Sequence, residues 1–370
     1  MEAVHDRVAS MIEIDGSLYS GSGTIVRQAV ALSALTSQSV HIVNARQRRT
    51  KPGLRRQHVR AVEAVSELCS GVVQGCVEGS TELTFHPGTS VEIAEHHWDI
   101  GSAGSTTMLA SAVLPVLAFA QVPKEVLIQG GLFQDHAPTY FHVRHVLLPI
   151  LQRMGIDASI EMIRPGYVPS GGGMLRLATK PALAPLRPLI FEERGDVEKV
   201  WGIALSSRLH ERSVSQRMAE TARRVLLGSG YAAQIETAED ETALQRGAAL
   251  AVFADLKGGS RIGADRAGAP RRSSEAIGEY VARQLLQELS TGATLDRYAA
   301  DQVIIYAALA DGESRFRIPM VTEHVLASAW LAREFLGAEV RTDEGLITVR
   351  GVGFQLRPAN HLDGFSRAPN

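Results

Sequence analysis

Apolar positions along the chain change period repeatedly, and the changes mark out a unit of strand, glycine-rich loop, helix and strand. In Met11–Gly16, Ile12 and Ile14 alternate with Glu13 and Asp15, the period-2 pattern of a half-buried strand. The loop Ser20-Gly21-Ser22-Gly23-Thr24 follows. An apolar stretch from Ile25 to Leu35 then predicts a helix, and Val40–Ala45 a returning strand. The order recurs near Trp98. There Ile100 leads into Gly101-Ser102-Ala103-Gly104-Ser105-Thr106, Met108–Ala120 predicts a helix, and Glu125–Gly131 the next strand. The two loops are about 80 residues apart, a spacing of duplicated supersecondary units rather than of a fine solenoid.

Further helices follow from one-sided apolar stripes. Val143, Val146, Leu147, Ile150, Leu151 and Met154 share a face, and Gly155 stops the run. Val59, Val62, Val65 and Leu68 mark a helix ended by Gly71. Ser213-x-x-Gln216 reads as a capping box opening Val214–Leu226. Ile277, Tyr280, Val281 and Leu285 mark another helix, and Val325–Phe335 a last one. Strands fit Glu82–Pro87, Asp157–Ile163, Met174–Thr179, Ala249–Leu256 and Leu346–Gly351. Alternating strands and helices predict an α/β (α+β) protein. The Pro-rich stretch Lys180–Pro188 reads as a linker and Gly258–Arg272 as a second loop-rich stretch. A smaller domain is therefore expected to be inserted over residues 185–285, with 1–184 and 286–370 forming the main domain. The polar tail Arg357–Asn370 is expected to fray.

Composition narrows the class. Over 370 residues the chain is 45% apolar and 21% charged, as in folded globular proteins. The longest apolar run is broken by Pro115, and the N-terminus has no apolar signal core, so neither a membrane span nor a secretory address is expected. Two cysteines, Cys69 and Cys76, make no disulfide framework, and the cytoplasm is the expected compartment. A net charge of −2 argues against a protein that coats nucleic acid, but not against a local basic site. Arg46, Arg48, Arg49, Lys51, Arg55, Arg56 and Arg60 crowd one such segment.

Both Gly/Ser loops precede helices. Free amide N–H groups of a first helical turn, approached closely over glycine, suit an anion. Neither loop is a Walker A sequence, since no Gly-Lys-Ser/Thr follows, and neither fits a dinucleotide-binding fingerprint. In the basic segment, Arg46, Arg49 and Lys51 lie at a strand exit around a Pro52-Gly53 turn, and guanidinium groups there can grip phosphate oxygens in pairs. His96 and His97 are neighbours on a strand, so they point apart and read as surface. His136, His142 and His145 cluster near one helix start and are unassigned.

The segment Ala45–His58 resembles the Arg-Ala-Gly-Arg-x-x-Pro-Gly-Leu-x-x-Gln-His stretch of RNA 3'-terminal phosphate cyclases. Arg164–Gly173 resembles that family's Gly-x-x-Pro-x-Gly-Gly-Gly signature. Ile14-Asp15-Gly16 with Arg27, Gly101–Ser105, Ala137-Pro138, Glu193-Arg194-Gly195 and Tyr298-x-x-Asp301-Gln302 match in the same order, so the resemblance runs from about Ile12 to Gly337. It implies three βαβαββ units like the C-terminal domain of translation initiation factor 3, plus an inserted α/β domain. It also implies chemistry: ATP and a divalent cation (Mg²⁺ or Mn²⁺) as cofactors, a histidine that takes AMP from ATP, and transfer of AMP to an RNA 3'-phosphate, which then closes to a 2',3'-cyclic phosphate. The family's nucleophile follows the Tyr-x-x-Asp-Gln motif in a Pro-x-x-x-His setting, which here ends at His324. Pro138 and Tyr298 would flank the adenine. Asp301 and Gln302 would sit near the nucleotide, and Arg27, Arg46, Arg49, Lys51 and Gln57, with the loop residues Ser102, Gly104 and Ser105, would hold phosphates.

The chain departs from the family at two points. Ser20 stands where a metal-binding glutamate is usual, and Phe141 where an acid usually follows Ala-Pro. Both changes remove negative charge near the expected nucleotide site. A smaller departure is Pro165. These changes keep a second reading open, a cyclase-like RNA-binding or ribosome-assembly protein without turnover, although such relatives lack the histidine. A third reading, an enolpyruvyl transferase, has no place for the histidine motif.

Overall fold

The computed structural model describes residues 11–88, 95–135, 137–182 and 184–356. His136 and the tail from Arg357 lie outside these. Over the described residues the protein is a mixed α/β structure with four small four-stranded sheets.

In the first sheet Ile12–Asp15 pairs parallel with Val40–Val43, which pairs antiparallel with Leu83–His86, which pairs antiparallel with Val72–Gln74. Helices Gly23–Thr36 and Arg56–Cys69 connect the first three of these strands in chain order. The second sheet follows the same order of pairings with Glu95–Asp99, Lys124–Gly130, Gly173–Thr179 and Ala158–Arg164. The last sheet does so with Ile190–Phe191, Glu313–Arg317, Leu346–Arg350 and Glu339–Asp343. Parallel neighbours need a crossover. Helices Gly23–Thr36 and Thr106–Ala118 supply the first two, whereas between Ile190–Phe191 and Glu313–Arg317 the chain runs through the fourth sheet before the helix Arg297–Leu309. Among the described residues no helix is long and apolar enough to cross a membrane.

The fourth sheet is built from Val197–Ser207, Ala233–Asp240, Gly247–Leu256 and Arg261–Ala267. It carries helices Val214–Gly228 and Ser274–Ser290, and together they enclose an apolar core that includes Val200, Met218, Leu250, Ile262, Val281 and Leu289, while Leu205, Ala251 and Phe253 of the same sheet belong to the larger core of the other three sheets. Two local expectations fail here. The stretch Gly258–Arg272 is not loop: Arg261–Ala267 is a strand antiparallel to Gly247–Leu256. Its small residues Gly263 and Ala264 look like loop composition but are buried, Gly263 directly against Val146 and Phe253. Ser213 does not close a capping box either. It sits in left-handed backbone at φ 48° and makes no side-chain cap bond.

Three smaller differences have clear causes. The helix from Arg56 ends on left-handed Ser70 rather than on Gly71. The run Tyr140–Met154 contains a π turn over Val143–Leu147. Pro149 has no N–H for the His145 carbonyl, and Arg261 donates to that carbonyl instead at 2.9 Å. His96 is not surface: it stacks on Trp98, and its Nδ1 lies 3.8 Å from Glu67, while His97 is exposed.

Candidate functional site: a cationic cleft holding His324

Among the described residues, five helix starts and one basic loop meet around a cleft of about 550 Å³. The first start is that of Gly23–Thr36. Ser22 caps it, accepting from the Thr24 amide at 3.2 Å. Gly23 has to be glycine, because a Cβ there would lie 2.1 Å from His58 Nε2. One turn on, Arg27 is buried, and its Nη2 reaches Thr24 Oγ1 at 3.4 Å. Burial, opposed by Asp301, brings the Arg27 pKa down to about 10, so it stays cationic at neutral pH.

The basic loop leaves the strand Val40–Val43 and turns back before the helix Arg56–Cys69. Arg46 lies in left-handed backbone at φ 58°, and its guanidinium donates to the carbonyls of Lys51 and Gly53, which sets the loop's shape. Burial and the neighbouring Arg55 and Arg49 hold the Arg46 pKa below its ordinary value. Arg48 points elsewhere: it pairs with Glu323 at 3.0 Å and ties the loop to the helix that carries His324. His58 is buried and accepts from the Arg55 amide through Nδ1 at 3.0 Å. Burial and then Arg27, Arg46, Arg55 and Arg49 push its pKa down to about 2, so the ring is neutral.

His324 stands in the first turn of Glu323–Leu336, whose cap is Thr322. Its Nδ1 is 3.2 Å from Thr24 Oγ1 and 4.0 Å from Asp301 Oδ2. The side chain is 39% exposed, and the described residues make no hydrogen bond to Nε2. Burial, then Arg49 and Arg27, hold the imidazole pKa below its ordinary value. In the neutral tautomer whose Nδ1–H donates to Thr24, the lone pair lies on Nε2, as a nucleophile requires. Asp301, on the helix Arg297–Leu309, is pushed up to about 7 by burial, against the restraint of Gln302 and Arg27. Gln302 donates to it at 3.3 Å.

Pro138 and Tyr298 also line the cleft, with Ala137 and Met108. A buried network fixes them. Asp296 accepts from the amides of Tyr298 (3.0 Å) and Ala299 (2.9 Å), from the Gly263 amide (2.9 Å), and contacts His142 Nε2 at 2.9 Å. Burial opposes charge on both partners, but each stabilises the other: His142 is held above its ordinary pKa and Asp296 below. Asp265 accepts from both the amide and the hydroxyl of Thr139.

The cleft thus gathers Arg27, Arg46, Arg49, Gln57, Pro138, Tyr298, Asp301, Gln302 and His324. Lys51 is exposed and does not line it. Ser102, Gly104 and Ser105 lie behind Gln57, whose Oε1 accepts from the Ser105 amide at 3.0 Å. Sequence reasoning missed Ser22, Thr24, His58, Gln134, Asp135, Arg297 and Thr322 as lining residues. Thr24 and His58 had a readable signal, since both lie inside motifs already singled out. Phe141 does not face the cleft: it is buried against Phe133 and Tyr140, so an aromatic there serves the core and removes no charge from the cavity wall.

Among the described residues the cleft offers no ready-made cage of protein ligands for a divalent cation: no three His, Cys, Asp or Glu side chains converge. Ser20 is buried with its hydroxyl 3.0 Å from that of Ser22, and Asp135 is paired with Arg272 at 2.7 Å.

Fold and cleft together define an α/β protein with a pocket lined by Arg27, Arg46 and Arg49 beside a partly exposed imidazole. The family model for RNA 3'-terminal phosphate cyclase matches residues 18–342. The chain is 36% identical to the RNA 3'-terminal phosphate cyclase of Desulfurococcus amylolyticus, covering 94% of this chain and 99% of the relative. The corresponding proteins of Methanopyrus kandleri (38%, covering 91% and 97%) and Hyperthermus butylicus (39%, covering 90% and 94%) are similarly close. The chain belongs to the RNA 3'-terminal phosphate cyclase family.

Proposed function

We propose that this protein converts an RNA 3'-terminal phosphate to a 2',3'-cyclic phosphate at the expense of ATP, with His324 as the nucleophile. The carrying observation is the position of His324, held through Nδ1 to Thr24 at 3.2 Å, with Asp301 4.0 Å away, in a cleft lined by Arg27, Arg46 and Arg49. Family membership supports the substrate and product.

In this reading Nε2 attacks the α-phosphorus of ATP, and the bond from that phosphorus to the bridging oxygen breaks. Pyrophosphate leaves, and AMP is joined to His324 through a P–N bond. The guanidinium groups offset the charge that gathers on the α-phosphate oxygens. An oxygen of the RNA 3'-phosphate then attacks the same phosphorus, and the P–N bond breaks. Finally the ribose 2'-OH attacks the activated 3'-phosphorus and loses its proton, and AMP departs. Splitting the reaction in this way turns a poor leaving group into a good one. Pro138 and Tyr298 provide the flat walls that suit an adenine ring. Mg²⁺ or Mn²⁺ would arrive with the nucleotide, liganded by phosphate oxygens and water. The shared strand order of three sheets supports reading them as three copies of one βαβαββ unit, with residues 185–285 as the inserted domain.

The test is a cyclisation assay. Oligoribonucleotide ending in a 3'-phosphate, incubated with protein, ATP and Mg²⁺ or Mn²⁺, should become resistant to phosphatase with release of AMP and pyrophosphate. An end that stays phosphatase-sensitive with either metal would remove the enzymatic reading and leave an RNA-end-binding protein.

A further inference from the structure

A second cavity, about 540 Å³, lies outside the cleft in the loops of the fourth sheet, and Arg208, Arg212 and Arg246 line it. Arg208 and Arg212 lie between Val197–Ser207 and the helix Val214–Gly228. Arg246 comes from the connection between Ala233–Asp240 and Gly247–Leu256. All three are exposed, and no carboxylate among the described residues lies within ion-pairing distance of any of them. By contrast Arg217, on the helix that follows Arg212, is paired with Glu275 at 2.8 Å. Glu211 and Glu241 share the wall, and Glu241 faces His210 at 3.4 Å. The balance is a small positive excess spread over three separate guanidinium groups. That suits a chain with one charge per unit better than a compact di- or triphosphate. Leu244 is 59% exposed on the same wall and offers an apolar surface for a base.

The cavity is joined to the cleft by a short run of contacts. Gln57 in the cleft wall accepts from Ser105 and lies against Gly104. The preceding residues Ser102 and Ala103 lie against Gly171. Gly172 packs on Leu244, and the Ser170 amide donates to Gln245 Oε1 at 3.4 Å, both Leu244 and Gln245 belonging to the second cavity. Val168, Pro169 and Ser170 on this bridge are exposed. From this geometry we propose that Arg208, Arg212 and Arg246 form a subsite for the phosphodiester backbone of single-stranded RNA, holding nucleotides upstream of the 3' end that occupies the cleft. The subsite rests on the RNA-end reading of the cleft and extends it.

The test compares a dinucleotide and a longer single-stranded RNA, both 3'-phosphorylated, on wild type, on the triple variant Arg208→Gln/Arg212→Gln/Arg246→Gln, and on the corresponding triple lysine variant. The glutamine variant should bind the longer RNA about ten-fold or more weaker. Its salt slope should be shallower by about 2, as expected for loss of three single-strand phosphate contacts. Dinucleotide cyclisation should be unchanged, and the lysine variant should keep most of the slope. Equal affinity and equal slope for wild type and glutamine variant on the longer RNA would overturn the proposal. So would an equal loss on both substrates. Failure of wild type to cyclise the dinucleotide would instead count against the cleft reading, since the binding comparison on the longer RNA stands without turnover.

Discussion

The two Gly/Ser loops, Ser20–Thr24 and Gly101–Thr106, have the same local pattern and different fates. Each follows a strand and opens a helix, and each helix is capped by a serine, Ser22 or Ser105. At the first loop the polar groups face the cleft: Ser22, Gly23 and Thr24 line it, and Thr24 holds His324. At the second the protein uses its own groups up. The Ser105 amide bonds Gln57, the Thr106 amide bonds Gly131, and the Thr107 hydroxyl bonds the Pro138 carbonyl at 2.7 Å. A glycine-rich helix start is an anion site only where its donors are left over. The second loop is a buttress that fixes two cleft residues, Gln57 and Pro138, from behind.

The contrast can be broken most severely at the first loop. Arg27→Ala should lower adenylyl transfer about a hundred- to a thousand-fold, in the range of losing one preorganised charge-stabilising donor. It removes the buried cation one turn beyond Thr24, and single-turnover rates with ATP would show it. Arg46→Ala and Arg49→Ala should each weaken binding of a phosphorylated end by about 1–3 kcal/mol, as for hydrogen bonds to charged groups. Equilibrium titration with a 3'-phosphate oligonucleotide measures this, and unchanged affinity would make the basic segment mere solvated surface.

The two caps sharpen the comparison. Ser22→Ala and Ser105→Ala should each cost about 1 kcal/mol of stability, the usual worth of an N-cap. Only Ser22→Ala should also raise the KM for ATP directly, since Ser105 is buried with its hydroxyl on Thr107 and Met108. Equal kinetic effects would mean that the second loop touches ligand after all.

The remaining expected effect is a pH dependence. The Asp301 pKa in the folded protein, about 7, is above its ordinary value of 3.8. Below both values the proton is bound in either state and nothing is lost. Between them the folded chain keeps a proton that the unfolded chain releases, so stability falls as pH rises, and the full cost is present above about 7. Asp301→Asn should therefore flatten the decline in Tm from pH 5 to pH 8. An unchanged slope would place the titration elsewhere.

Most strands and helices were legible because their apolar periods are long and unbroken, as in Ile25–Leu35 and Val325–Phe335. The misses share a cause: local composition competing with tertiary surroundings. Arg261–Ala267 looks like loop because Gly263, Ala264 and Ala267 are among its buried positions, Gly263 lying against Val146 and Phe253. Ser213 has the sequence of a cap but sits in a left-handed turn. In the cleft, the charged and motif-bearing residues could be named in advance. Thr24 and His58 could not be separated from their neighbours without knowing that a residue 300 positions away returns to meet Thr24. The buried pair His142–Asp296, which holds the Tyr298 wall, is likewise invisible from sequence spacing.

Covalent labelling of His324 reaches the central claim most directly. Wild-type protein incubated with α-labelled ATP and Mg²⁺ or Mn²⁺ should carry label in an acid-labile, base-stable linkage, mapped by mass spectrometry to the peptide containing His324. His324→Ala should carry none while melting normally. Wild type that stays unlabelled with both metals, or label that persists in His324→Ala, would contradict a histidine nucleophile in this cleft.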